Sequence, residues 1–61
     1  MKTVKLKLVG LDGNAFAILG AFKKAAKRSG WSDVEIKAVF DEATSGDYNN
    51  LLAVIMKYTE E

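Results

Sequence analysis

The chain has 61 residues, near the lower limit for independent folding, where a domain buries only about 60% of its unfolded surface and builds one core. It is read as one small domain over 1–61. Cysteine and histidine are both absent, which removes disulfides, thiolate nucleophiles, the commonest general base and the commonest metal ligand together. With 49% apolar and 28% charged residues the chain is a folded globular type, not a disordered one. So small a domain without cysteine staples favours an intracellular, cytoplasmic setting.

The formal charge of +1 hides an asymmetry: residues 1–31 carry seven Lys/Arg against one Asp, whereas residues 32–61 carry two Lys against seven Asp/Glu. The longest apolar stretch, Leu6 to Phe22, is interrupted by Lys7, Asp12, Asn14 and three glycines. It is neither a membrane span nor a signal-peptide core, and no targeting segment and no membrane partner are expected.

In residues 2–9, Val4, Leu6 and Leu8 alternate with Thr3, Lys5 and Lys7, the period of a strand with one buried face. The Gly-Leu-Asp-Gly-Asn segment from residue 10 marks a turn, with Asp12 or Asn14 positioned to cap a helix that starts near residue 14 or 15. At 100° per residue, Ala15, Ile18, Leu19, Phe22, Ala25, Ala26 and Ser29 share one side of this helix. Lys23, Lys24, Lys27 and Arg28 share the other. The cations suit the negative end of the helix dipole, and Gly30 stands where a left-handed terminating residue belongs.

Ser32-Asp-Val-Glu35 is a capping box, and Trp31 before it is positioned to staple onto Ile36. The spacing predicts a second helix with Ile36, Val39, Phe40 and Ala43 inward, running to about Thr44 and closed by Gly46. Asp47 caps a third. The run from Leu51 to Met56 also fits a strand, but both strand faces would then be apolar with no second layer to cover the outer one, so helix is preferred. On this helix Asn49, Asn50, Ala53 and Lys57 form one side, and Tyr48, Leu51, Leu52, Val54, Ile55, Met56 and Tyr58 the rest. The expected class is α+β and mostly helical, one N-terminal strand followed by three helices, β-α-α-α.

Two features do not close within one chain. A lone strand leaves its backbone groups unpaired, and the third helix has an apolar arc of roughly 200°, wider than the stripe of roughly 100° that a surface helix needs for one core contact. Both point to a homodimer in which the strand pairs with its twin across a two-fold axis. Val4, Leu6, Tyr48, Leu52, Met56 and Tyr58 are the candidate protein interface. The alternative is a β-α-α-β monomer pairing residues 2–9 with 52–58.

No catalytic centre can be assembled. The glycine turn lacks the third glycine of a dinucleotide fingerprint and a phosphate-binding lysine, and Asp12 would repel a phosphate. Ala15, Ala17 and Leu19 stand where a calcium loop needs oxygens, so neither metal nor cofactor is expected. Asp33/Glu35 and Asp41/Glu42 read as a solvated acidic face, not as opposed catalytic carboxylates. Trp31 is assigned to packing.

The basic stripe is the principal candidate for binding: Lys23, Lys24, Lys27 and Arg28 share a face with Phe16 and Gly20, and Lys5 and Lys7 project from the outer side of the strand. Cations interleaved with an aromatic can track phosphates and stack a base, although a run of helical cations is also a common solubilising face. The segments KLVGLDGNAF (7–16), LGAFKKAAKRSGW (19–31) and DEATSGDYNNLL (41–52) resemble a group of very short bacterial and phage proteins with no activity assigned to them. The resemblance implies a cytoplasmic bacterial or phage setting and no chemistry. The expected function is a non-enzymatic, homodimeric protein-interaction module with an unidentified protein partner; the alternative is a small nucleic-acid binder.

Overall fold

A computed structural model describes residues 3–7 and 13–60. Among them the order is β1 (Val4–Lys5), α1 (Ala15–Arg28), α2 (Asp33–Ala43), α3 (Tyr48–Lys57) and a two-residue β2 (Thr59–Glu60). The protein is mostly helical α+β, with the expected β-α-α-α succession. The remainder of the expected strand, at 2 and 8–9, and the turn from Gly10 to Asp12 lie outside the described residues.

Alternation in β1 is as the sequence predicts: Val4 is buried, Leu6 half-buried, and Lys5 and Lys7 exposed. The expectation that the chain supplies no strand to pair with it is corrected. β2 runs parallel to β1, with Val4 opposite Thr59 and Lys5 opposite Glu60. Val4 N–H donates to the Tyr58 carbonyl at 2.9 Å and Leu6 N–H to the Glu60 carbonyl at 3.0 Å. The intervening Lys5 peptide therefore faces the opposite edge of the strand. The alternative pairing with 52–58 is not made, because that segment stays helical through Lys57. Asp47 accepts from Asn50 N–H at 2.9 Å and starts that helix.

Each helix begins on a side-chain cap. Asn14 Oδ1 accepts from Phe16 N–H at 2.8 Å, while Asp12, the other candidate cap, is outside the described residues. Ser32 and Glu35 close both halves of the capping box, at 3.2 and 2.8 Å. α1 terminates as predicted: Gly30 has φ 89°, its N–H donates to the Lys27 carbonyl, and Trp31 N–H reaches back to the Ala26 carbonyl at 2.9 Å.

Gly46 does not close α2 in the same way, since Gly30 is the only described glycine with positive φ. The last carbonyls of α2 take side-chain donors in addition to the Thr44 and Ser45 N–H groups. Thr44 Oγ1 donates to the Phe40 carbonyl at 2.8 Å, and Ser45 Oγ to that of Glu42 at 2.7 Å. Asn50 Nδ2, expected on the polar side of α3, crosses to the Glu42 and Ala43 carbonyls at 3.1 and 3.3 Å.

The core joins Val4, Ile18, Phe22, Ala26, Trp31, Ile36, Val39, Ala43, Leu51, Val54 and Ile55. Trp31 and Ile36 are both buried in it, as the staple requires. The rings that Trp31 meets edge-on are Phe22 at 5.6 Å and Tyr58 at 6.3 Å. This aromatic line fastens the α1–α2 turn to the end of α3.

Candidate functional site

The helical period sets Lys24 and Arg28 one turn apart on the exposed flank of α1, and strand alternation turns Lys5 and Lys7 away from the core. Packing of β1 on α1 brings these four cations around one groove of about 250 Å³. Leu6, Ala21 and Ala25 complete its lining; the two alanines keep the wall of the helix low beside the strand. Among the described residues, none of Lys5, Lys7, Lys24 and Arg28 takes part in an ion pair. The groove therefore gathers four positive charges that are free of ion pairs among the described residues, with Glu60 opposite Lys5 in the β1–β2 register, and their fields add within one concavity.

A second groove of about 330 Å³ lies between α1 and α2, lined by Lys23, Lys27, Asp33, Ile36, Lys37 and Phe40. It is larger but electrostatically weaker. Lys27 Nζ is 3.5 Å from Asp33 and Lys37 Nζ is 3.1 Å from Asp41, which leaves Lys23 as its cation without an ion pair among the described residues. The stripe read as continuous from the sequence is thus divided. Lys24 and Arg28 turn toward β1, whereas Lys23 and Lys27 turn toward α2. Phe16, assigned to the same stripe, is 83% exposed at the opposite end of α1.

The candidate protein interface is divided as well. Val4 is 1% exposed and its side chain is enclosed by its own chain. Leu6, Leu52 and Tyr58 pack partly against the same core. Tyr48 and Met56 remain exposed and flank Leu52 on successive turns of α3. Tyr48 is also tied down, its hydroxyl donating to the Gly13 carbonyl.

One cluster has no counterpart in the sequence pattern. Glu42 on α2 accepts hydrogen bonds from Lys57 Nζ and from the Tyr58 hydroxyl, the latter at 3.1 Å. Lys57 Nζ also lies 5.1 Å from the centre of the Tyr58 ring. The hydrogen bond from Lys57, with that from Tyr58, holds the Glu42 carboxyl below the usual carboxylate range. The same hydrogen bond pushes Lys57 upward. All three groups are held at the α2–α3 contact. The pairing crosses 15 residues of sequence, beyond the reach of an i,i+4 reading.

Three further acidic residues have partners too. Asp33 faces Lys27, Asp41 faces Lys37, and Glu35 closes the capping box. Among the described residues no three His, Cys, Asp or Glu side chains converge as a metal site, and no helix is long and apolar enough to cross a membrane. Comparison with known proteins returns no match to a family model, to a curated protein or to a solved structure.

Proposed function

We propose that the chain is a non-enzymatic binding module whose working surface is the β1–α1 face and whose ligand is the phosphate backbone of a nucleic acid. The observation that carries this reading is the convergence of Lys5, Lys7, Lys24 and Arg28 on one groove, without an ion pair to any of them among the described residues. Cations on a solubilising face are ordinarily interspersed with anions, as Lys27 and Lys37 are here. A polyanion gains from a cluster because each neutralised phosphate releases condensed counterions. A bacterial or phage, cytoplasmic setting is supported by the resemblance of segments 7–16, 19–31 and 41–52.

The test is a salt series of binding to a short oligonucleotide. The wild-type chain binds with an affinity that falls as salt rises. Replacing Lys24 and Arg28 by Gln leaves the circular dichroism unchanged and lowers the log–log salt slope by about 0.7 to 0.9 for each phosphate no longer neutralised. Absence of binding at low salt, or an unchanged slope in the double variant, rejects the reading.

A protein-interaction role, with self-association as its first form, is the second reading. It is favoured by the Tyr48–Leu52–Met56 stripe, where Met56 is 62% exposed, and by the outward-facing Lys5 peptide of β1, the edge that a twin strand would use. Equilibrium sedimentation tests it directly: a dimer that Met56→Lys dissociates supports the stripe, and a monomer at high concentration excludes self-association.

A further inference from the structure

Phe16 is the most exposed large hydrophobic side chain among the described residues, although α1 has a core face that accepts Ala15 immediately before it. At 100° per residue, Phe16, Gly20 and Lys23 follow one another along a single strip of the helix. Gly20 is exposed, and a Cβ built on it meets nothing within 4 Å. A glycine inside a helix is less favourable than alanine, and neither close packing nor a positive φ requires one here. The strip is consequently bare for one turn beside the ring, and it leads to a lysine free of ion pairs among the described residues.

An open aromatic face beside bare backbone, with cations beyond it, is the arrangement in which a nucleobase lies flat on a ring while neighbouring phosphates meet lysines. Only an unpaired base can do this, because in a duplex each base face is covered by its neighbours. We infer that the ligand of the exposed side of α1 is single-stranded nucleic acid, with one base stacked on Phe16 above Gly20 and phosphates on Lys23, which lines the α1–α2 groove, and on Lys24 and Arg28, which line the β1–α1 groove. This rests on the nucleic-acid reading above and narrows it to one class of strand.

Fluorescence anisotropy with three labelled probes tests it: an oligothymidylate, an abasic deoxyribose-phosphate strand of equal length, and a duplex of that length. The abasic strand has the same charge and no base to stack. The full-length chain binds oligothymidylate more tightly than either other probe. Phe16→Ala weakens oligothymidylate binding by about 5- to 100-fold, leaves the abasic strand unaffected and preserves the salt slope. Gly20→Gln fills the bare turn with a good helix former, so the fold is retained while oligothymidylate affinity falls. Equal affinity for oligothymidylate and the abasic strand, a preference for duplex, or a Phe16→Ala variant that still prefers oligothymidylate overturns the stacking role while leaving phosphate binding in place. No binding to any probe overturns both.

Discussion

Gly46 and Asn50 are in contact because Gly46 has no side chain. A Cβ at position 46 would stand 3.0 Å from Asn50 Cβ and 3.2 Å from Asn50 Nδ2, and that amide holds the last carbonyls of α2. With no positive φ at Gly46, the glycine supplies space and not backbone freedom. Gly46→Ala is expected to push the amide off the Glu42 and Ala43 carbonyls and to cost about 1 to 2 kcal/mol. Asn50→Ala, which removes the donor outright, is expected to cost about 1 kcal/mol. Urea denaturation of both variants measures this; wild-type stability in Gly46→Ala would show that α3 shifts freely past the loop.

Gly20 gives the opposite sign. It lies inside α1, exposed, with open space where a methyl would go. Gly20→Ala is expected to raise stability by about 0.5 to 1 kcal/mol through the lower conformational entropy of the unfolded chain. Gly30, held at φ 89°, responds in reverse, since alanine there is strained by about 1 to 2 kcal/mol. Thermal melts of the two alanine variants should move in opposite directions from wild type.

The contrast among these glycines marks how far the sequence can be read. Gly30 is legible because a left-handed terminator acts within its own turn of helix, as do the caps at Asn14, Ser32 and Asp47. Gly46 resembles a second terminator in the sequence because its actual reason lies on the next helix. β2 is hidden for a related cause: Thr59–Glu60 is too short and too polar to show a strand period, and its pairing depends on where α3 ends. The cations of α1 are legible from the 100° period. Their division between two grooves is not, because it depends on how β1 and α2 pack against the helix.

The Glu42–Lys57 pair predicts a stability profile with two flanks. The Glu42 carboxyl is held below its ordinary value, so its contribution is complete above about pH 4.5 and is lost as pH falls through the lowered folded value. Lys57 is pushed up, so its contribution is complete below about pH 10.5 and is lost as pH rises through the raised folded value. Glu42→Gln retains an acceptor for Tyr58 but removes both flanks that arise from the pair. Melting temperatures of wild type and variant should differ most between those limits and converge beyond them. A constant difference across the whole range would mean that the pair contributes no pH dependence.

Trp31 carries more of the stability than its place in a turn suggests. It is buried, closes on Phe22 and Tyr58, and its N–H completes the end of α1. Truncation of a buried aromatic to alanine costs about 3 to 5 kcal/mol, against a total of about 3 to 9 kcal/mol for a chain this short at the usual stability per residue. Trp31→Ala is therefore expected to abolish a cooperative thermal transition. Trp31→Phe, which keeps an aromatic ring against Phe22, is expected to retain one at a lower temperature. A cooperative melt in the alanine variant near that of wild type would assign the anchoring of α1 to other parts of the core.

Lys24 and Lys27 are one helical turn apart and carry the same charge, yet the two grooves separate them. Lys27 has Asp33 within 3.5 Å, so an incoming phosphate must compete with a carboxylate already present. Such an exposed pair is worth only about 0 to 1 kcal/mol, enough to reduce the net gain from a phosphate but not to prevent its approach. Lys24 lines its groove beside Arg28, with Lys5 and Lys7 on the strand side, and meets no such competitor among the described residues. Lys24→Gln is expected to lower the salt slope of oligonucleotide binding by about 0.7 to 0.9, and Lys27→Gln by measurably less. Asp33→Asn, which frees Lys27, is expected to raise the affinity at low salt. Equal slopes for the two lysine variants would mean that the charge of the whole helix face, and not the groove between α1 and β1, governs binding.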